Sequence, residues 1–220
     1  MLSRESISSG AYLDSFNTLP KDVLWSRERI ESSLEETLRN RPNSDDIWIF
    51  GYGSLIWNPL LNFDKQEIAT LQGWRRSFCI RLIAGRGSEQ TPGRMLALEL
   101  GGFTEGVVLR LPKATINEEL RIVWIREMLA GSYRPTWATV TLAGGREVMA
   151  IVFVADPMQQ YHEKDSSIST IAPLIDVASG PYGTNVDYVH KLAAAMAERG
   201  LKDDYVAMLV SELTRLDSLK

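Results

Sequence analysis

The segment Ile47-Trp48-Ile49-Phe50-Gly51-Tyr52-Gly53-Ser54-Leu55 is the most informative stretch of the chain. Its first four residues form an apolar run that predicts a buried strand, and the glycines on both sides of Tyr52 predict a tight turn directly after it. Glycines allow consecutive backbone N–H groups to turn toward one point and bind an anion. We prefer a carboxylate to a nucleotide because the loop lacks the lysine and the length of a phosphate-binding loop. A glycine turn without a ligand explains this pattern equally well.

Short strand-like segments dominate the middle of the chain, and several of them end at Gly-Gly or Pro-Gly. We predict strands over residues 75–82, 94–100, 105–111, 138–142 and 147–155. Many short strands separated by turns favour an antiparallel or mixed sheet that curls toward a barrel. With the helices predicted below, the fold class is α+β, a small mixed or antiparallel β-barrel surrounded by α-helices.

Helical patterns flank these strands. We predict helices over residues 21–40, 115–129, 186–199 and 203–216. Thr115 and Glu118 have the spacing of a capping box at the start of the second of them. Residues 1–20 show no sustained period and are interpreted as an extended or mobile arm with little function. The predicted organisation is therefore an N-terminal arm and helix over 1–45 and one folded domain over 46–220.

Composition restricts the class of protein. The chain has 220 residues, of which 45% are hydrophobic and 24% charged, as is usual for one soluble globular domain. A formal net charge of −4 argues against a nucleic-acid binder, which would present a basic face to phosphates. No apolar run is long enough to span a bilayer, and the one cysteine, Cys79, cannot form an internal disulfide. We expect a cytoplasmic monomer that binds a small molecule, and neither nucleic acid nor membrane.

Glu127 is the first candidate catalytic residue. On the predicted helix it lies within the apolar stripe of Ile116, Leu120 and Val123. A carboxylate in that position is partly desolvated, and desolvation raises its pKa toward the range that is useful for proton transfer. The alternative is structural: Glu127 forms an ion pair with Arg126 or Arg134 at the edge of the core, which the spacing alone favours.

Other nucleophiles and metal ligands give weaker signals. Cys79 lies between Phe78 and Ile80 in a predicted strand, where a small core residue is the commoner use. His162 and His190 have no clustered carboxylate in the sequence, so we predict no metal. The tryptophans are scattered along the chain, and we interpret them as core residues.

Around the first segment the sequence resembles a known family. Residues 49–57, Ile-Phe-Gly-Tyr-Gly-Ser-Leu-Ile-Trp, resemble the opening signature of the ChaC family, the glutathione-specific gamma-glutamylcyclotransferases. Further motifs follow in that family's order: Arg75 to Phe78, Arg86-Gly87, Thr91 to Arg94, Gly106-Val107, Arg110 to Pro112, Arg126-Glu127, Gly131 to Arg134, Gly180-Pro181, Asn185 and Tyr188. The resemblance covers residues 47–192, and it implies the gamma-glutamylcyclotransferase-like fold, a compact sheet-barrel with helices around it.

The resemblance implies an activity and a set of site residues. It implies intramolecular attack of the glutamyl α-amine of glutathione on its own γ-carbonyl, which gives 5-oxoproline and cysteinylglycine, with Glu127 as the acid/base. The substrate-binding residues it implies are Gly51, Tyr52, Gly53, Ser54, Leu55, Arg86 and Tyr133. No cofactor is expected, because the nucleophile is already tethered to the electrophile. Two alternatives stay open: a cyclotransferase for other gamma-glutamyl compounds, and a non-catalytic regulatory protein linked to cation transport.

Overall fold

The barrel is built from five strands. The computed structural model describes residues 2–17, 19–20, 23–42 and 46–220. In these residues the strands close in the order β1-β3-β2-β4-β5, and β1 pairs with β5 in parallel while the other neighbours are antiparallel. Their bounds are β1 Trp48–Gly51, β2 Lys65–Leu82, β3 Gly93–Arg110, β4 Tyr133–Leu142 and β5 Glu147–Ala155. The predicted α+β class is confirmed, as a mixed barrel.

Two long strands differ from the sequence prediction. β2 begins at Lys65 rather than at 75, and the two strands predicted over 94–100 and 105–111 form the single strand β3. Gly101 and Gly102, whose φ angles are 116° and 63°, lie inside β3 beside a register shift at Gln72/Trp74 of β2. A bulge of this kind bends a strand without ending it, and bending is what closure of a barrel requires. The Gly-Gly pair was therefore wrongly interpreted as a turn.

Helices surround the barrel. They are α1 Arg4–Ser9, α2 Ala11–Asp14, α3 Arg27–Arg39, α4 Ile116–Glu127, α5 Ile168–Val177, α6 Asn185–Ala197 and α7 Asp204–Asp217, with the short strands β6 Ser179–Gly180 and β7 Gly183–Thr184 before α6. The four predicted helices correspond to α3, α4, α6 and α7. No helix of the described residues is long and apolar enough to cross a membrane.

Two helix predictions need correction, and α5 was not predicted. α3 begins at Arg27, and residues 21 and 22 of its predicted start lie outside the described residues. The capping box at Thr115 is wrong, because the Thr115 side chain makes no capping hydrogen bond and its Oγ1 is buried without a partner.

The expectation of an extended or mobile arm at the N-terminus is also wrong. Ser3 caps α1 through its side chain, and Gly10 (φ 90°) joins α1 to α2. Ile7, Tyr12 and Phe16 are buried in the same apolar core as the barrel. Burial of these three side chains supplies the free energy that a polar arm would lack. The division into 1–45 and 46–220 stays a prediction.

The core fills the barrel and the space beneath the helices. Its largest buried side chains include Trp48, Phe50, Trp124 and Phe153. The rings of Trp124 in α4 and Phe153 in β5 meet edge to face at 5.1 Å between centroids. α4 is covered on both sides, since Leu120, Val123 and Ile122 are all buried. This packing fixes the end of α4 against the barrel.

A buried ion pair fixes the N-terminal helices to α4. The Glu119 side chain is fully buried, and both of its oxygens accept hydrogen bonds from the Arg4 guanidinium. The backbone and side-chain nitrogens of Asn62 donate to the same carboxylate at 2.9 and 3.0 Å. Four donors thus satisfy a carboxylate that would otherwise be costly to bury.

We expect Arg4→Met to destabilise the protein by about 2 to 3 kcal/mol, because it removes charge-assisted hydrogen bonds from a buried carboxylate. The free energy of unfolding in urea measures the effect. Arg215→Met is the matched control, since Arg215 pairs with Glu212 on the surface of α7 and screened pairs contribute little. Equal losses in the two variants would contradict a special role for the buried pair.

Candidate active site

Glu127 is the last residue of α4, and its side chain is 16% exposed. Its Oε1 lies 3.0 Å from Nε of Arg126, whose side chain is almost fully buried. No second ion pair or hydrogen bond to Glu127 occurs in the described part of the chain. One carboxylate edge is therefore held by the protein, and the other is available to a ligand.

Arg126 also holds the loop that follows β1. Its Nη2 donates to Ser54 Oγ at 2.7 Å, and its Nη1 donates to the carbonyl oxygens of Asn58 and Pro59. One guanidinium thus joins the catalytic candidate to the loop that the sequence predicted as an anion site. The structure brings these two predicted features together.

Burial raises the pKa of Glu127, and the adjacent Arg126 charge lowers it in part. The two sequence interpretations of Glu127 therefore describe one arrangement. The ion pair is present, with Arg126 and not with the exposed Arg134, and the carboxylate still has a raised pKa. A carboxylate in this state accepts and returns a proton closer to neutral pH than an exposed one does.

Four tyrosines surround this carboxylate. Burial raises the pKa of each, and the negative charge of Glu127 adds to the effect in all four: Tyr12, Tyr52, Tyr133 and Tyr188. Three of the hydroxyls are already hydrogen-bonded, Tyr52 to the Phe153 carbonyl, Tyr133 to the Leu96 carbonyl and Tyr188 to the backbone of Ser54. Apart from Arg126, the groups that these residues place around Glu127 are therefore polar and neutral.

The space beside the loop glycines is occupied by other side chains of the protein. A Cβ on Gly51 would lie 2.9 Å from Cβ of Leu55, and a Cβ on Gly53 would lie 3.0 Å from the Tyr188 hydroxyl. The sequence interpretation placed the ligand against Gly53, whereas the structure places Tyr188 there. The backbone N–H groups of Ile56 and Asn58 donate within the loop.

Two donors of the loop remain available. The backbone N–H groups of Gly53 and Leu55 take part in none of the hydrogen bonds among the described residues. They follow β1 directly and lie on both sides of Ser54, which Arg126 holds. Adjacent free N–H groups of this kind can bind an anion.

Arg86 lies apart from this cluster. It donates to the Thr184 carbonyl at 2.9 Å, and its charge lowers the pKa of Asp187 as a minor cause. No ion pair or hydrogen bond joins it to Glu127 among the residues described. The same turn is joined to Tyr182, whose N–H donates to the Gly85 carbonyl. Arg86 therefore makes no described contact with the group around Glu127, whereas Ser54 is joined to it through Arg126 and the charge of Glu127 acts on Tyr52 and Tyr133.

Sequence reasoning missed three residues that the structure links to Glu127. Arg126 was considered only as a partner for Glu127, and its hold on Ser54 depends on a contact across 72 positions of the chain. Tyr188 belongs to a motif that was noted but was not placed in the site. Tyr12 gave no signal, because its segment has no clear period.

Cys79 lies in a second cluster on the barrel. It is fully buried, and burial raises the pKa of its thiol to about 12, so the thiol stays protonated. His162 Nε2 is 3.1 Å from Glu99 Oε1, and the ligand atoms of these two residues and Cys79 lie within 4.8 Å of one another. The argument that the histidines have no clustered carboxylate was therefore wrong, although the absence of a metal stays a prediction.

Comparison with known proteins identifies the family. The model of the ChaC-like protein family matches residues 47–216. The chain belongs to the ChaC-like family. A glutathione-specific gamma-glutamylcyclotransferase of Escherichia coli (strain K12) is 45% identical over 216 residues, which are 98% of this chain and 94% of that protein. A glutathione-specific gamma-glutamylcyclotransferase 1 of Danio rerio is 30% identical over 68% of this chain and 79% of that protein.

A solved structure shares the ChaC-like fold. The crystal structure of a yeast gamma-glutamyl cyclotransferase specific to glutathione matches with a TM-score of 0.71 and 21% identity, over 78% of this chain and 97% of that one. The expected gamma-glutamylcyclotransferase-like fold is thereby confirmed, as is the family resemblance found in the sequence.

We expect Arg126→Gln to move the acid limb of the kcat/KM profile to higher pH. Removal of the positive charge leaves desolvation of Glu127 unopposed, so the pKa of the carboxyl rises and a higher pH is needed to ionise the base. The comparison uses one substrate for both proteins, so titration of the substrate cancels.

Arg121→Gln is the control for this measurement, because Arg121 lies on the same helix but pairs with Glu31 at the surface. Its acid limb should coincide with that of the unmodified protein. An unshifted limb in Arg126→Gln would mean that Arg126 does not set the ionisation of Glu127.

Proposed function

We propose that this ChaC-like protein is a gamma-glutamylcyclotransferase, a carbon–nitrogen lyase, that degrades glutathione to 5-oxoproline and cysteinylglycine. The proposal depends above all on Glu127, a desolvated carboxylate that Arg126 holds beside the loop after β1. The high identity to the E. coli enzyme over nearly the whole chain supports glutathione as the substrate.

The reaction is an internal aminolysis. The α-amine of the glutamyl group attacks its own γ-carbonyl carbon, a new carbon–nitrogen bond closes the five-membered ring, and the bond to the cysteinyl nitrogen breaks. Glu127 takes the proton from the attacking amine and delivers it to the departing nitrogen. The overall reaction therefore needs neither water nor an electron carrier. Because nucleophile and electrophile belong to one molecule, the protein mainly holds a bent conformer.

The loop residues Gly51 to Leu55 bind the glutamyl part. The free N–H groups of Gly53 and Leu55 are donors for the α-carboxylate or for the oxyanion that forms at the γ-carbon. Tyr52 and Tyr133 supply neutral walls, because their raised pKa values keep them protonated. We assign Arg86 to the binding of the departing half of the substrate.

A cyclotransferase for other gamma-glutamyl compounds is the second candidate, and the residues around Arg86 would decide between the two. A purely regulatory binding protein has no use for a desolvated carboxylate with a free edge, which counts against that alternative. A cytoplasmic location, a monomeric state and independence from metals and other cofactors remain part of the proposal.

We expect Glu127→Gln to reduce turnover at least 100-fold while glutathione binding is largely kept, because glutamine has nearly the same shape but cannot accept the proton. Single-turnover formation of 5-oxoproline and calorimetric affinity are measured on the same preparation. Glu118→Gln, on the exposed face of the same helix, is the control and should stay active. A Glu127→Gln protein with more than about a tenth of the activity would remove Glu127 from the mechanism.

A substrate panel tests the reaction itself. Glutathione should react with and without EDTA, whereas N-acetylglutathione should not react, because acylation removes the nucleophile. Amidation of the glutamyl carboxylate should weaken binding, since it removes the anion that the loop binds. Turnover of the N-acetylated compound would exclude cyclisation, loss of activity in EDTA would exclude the metal-free reaction, and equal rates on simple gamma-glutamyl amino acids would favour the second candidate.

A further inference from the structure

We propose that Tyr12 is a substrate-binding residue of the candidate active site, and that its hydroxyl donates a hydrogen bond to an acceptor oxygen of the gamma-glutamyl substrate. Tyr12 lies in α2. We call residues 2–17, which contain α1, α2 and the turn after them, the N-terminal segment. The inference rests on the proposed function. It assigns a role in binding to a part of the chain outside residues 47–216, which match the family model.

The N-terminal segment is held at one end by α4. The Arg4 guanidinium binds the buried Glu119 carboxylate and donates to the Leu60 carbonyl at 3.0 Å. Glu119 and Glu127 belong to the same helix, so the contact that positions α1 is fixed relative to the proposed acid/base. If the start of the N-terminal segment moved away from α4, the buried Glu119 carboxylate would lose its charged partner or become exposed.

The other end of the N-terminal segment contacts the turn that carries Arg86. The Tyr12 and Phe16 rings meet edge to face at 5.2 Å between centroids, and Phe16 meets Tyr182 in the same way at 5.8 Å. Ser15 Oγ lies 3.2 Å from the Tyr182 hydroxyl. The segment therefore connects α4 with the turn that carries Arg86, and Tyr12 lies between these two attachments.

The Tyr12 side chain is near enough to Glu127 for the two groups to interact electrostatically, and its hydroxyl is an unused donor. Tyr12 is only 7% exposed, yet its hydroxyl makes no hydrogen bond with any described residue. Of the other three tyrosines near Glu127, Tyr52 and Tyr133 already donate to the Phe153 and Leu96 carbonyls, and the Tyr188 hydroxyl accepts from the Ser54 backbone N–H. The hydroxyl oxygen is not sealed from solvent, unlike the buried unpartnered atoms of the described residues, so it can donate to a ligand that displaces water.

Chemistry restricts what Tyr12 can bind. Burial, and then the negative charge of Glu127, raise the pKa of its hydroxyl, so it stays protonated throughout the physiological range and acts as a donor. A gamma-glutamyl substrate presents two strong acceptors near its reacting atoms, the α-carboxylate and the γ-carbonyl oxygen. A donor to the first acts mainly on KM, and a donor to the oxyanion formed from the second acts mainly on kcat.

The test is Tyr12→Phe in the full chain. The ring and its contact with Phe16 are kept, and only the hydroxyl is lost, so the melting temperature should change little. A hydrogen bond to a charged or developing charged oxygen is worth enough for kcat/KM on glutathione to fall about 10- to 100-fold. The separate values of kcat and KM then say which oxygen is bound.

Tyr205→Phe is the matched control. Tyr205 is also largely buried, but its hydroxyl accepts from the Phe78 N–H and donates to the Ser166 carbonyl. The charge of Glu127 is not among the causes that shift the pKa of Tyr205. This variant should lose thermal stability and keep its kcat/KM. If Tyr12→Phe instead behaves like the control, with stability lost and kcat/KM within about threefold of the unmodified protein, Tyr12 is structural and the inference is wrong.

The two proposals fail in different ways. If the unmodified protein forms no 5-oxoproline from glutathione, the proposed function is wrong whatever Tyr12 does. If the unmodified protein is active and Tyr12→Phe retains its kcat/KM, the function stands and the assignment of Tyr12 is overturned. Calorimetry in the Glu127→Gln background gives a second measurement, in which weaker glutathione binding on addition of Tyr12→Phe supports contact with the bound substrate.

Discussion

The Arg126 guanidinium is the contact on which the candidate site depends. It is buried at the end of α4, and it binds a carboxylate on the same helix and three oxygens of the loop after β1. The joined residues of helix and loop are 67 to 72 positions apart along the chain, so neither local propensity nor strand pairing would place them together. The planar Arg126 guanidinium, whose N–H donors have fixed directions, holds helix and loop together. Its charge also partly offsets the cost of desolvating Glu127.

The neighbours of this pair follow from electrostatics. With one cation already engaged, another anion near Glu127 would raise its pKa much further, and another cation would hold it ionised and weaken it as a base. Tyrosines avoid both effects, since burial keeps their hydroxyls neutral while they still donate hydrogen bonds. The tyrosine hydroxyls therefore add polarity around Glu127 without adding charge, a condition that favours proton transfer to and from one carboxylate.

Periodicity and turn chemistry predicted the elements whose signals are local. The apolar run before Gly51, the strand over Glu147–Ala155 and the stripe on α4 were all recognisable, because each depends on a few neighbouring residues. The continuity of β3 through Gly101 and Gly102 was not, since a bulge inside a barrel and a turn have the same glycines. The N-terminal helices were missed because Arg4 and Glu119, which fix them, are 115 positions apart.

The closure of the barrel has a consequence for synthesis of the protein. β1 pairs with β5, and the Tyr52 hydroxyl binds the Phe153 carbonyl across 101 positions. A ribosome that has released β1, and even the whole β2–β3 hairpin, still holds a chain with an open sheet edge beside β1. Such non-local pairings form slowly, and an unpaired edge invites association with other chains. The barrel therefore closes only after β5 has been synthesised. A nascent chain that ends before β5 cannot form the hydrogen bond that positions Tyr52 in the candidate site.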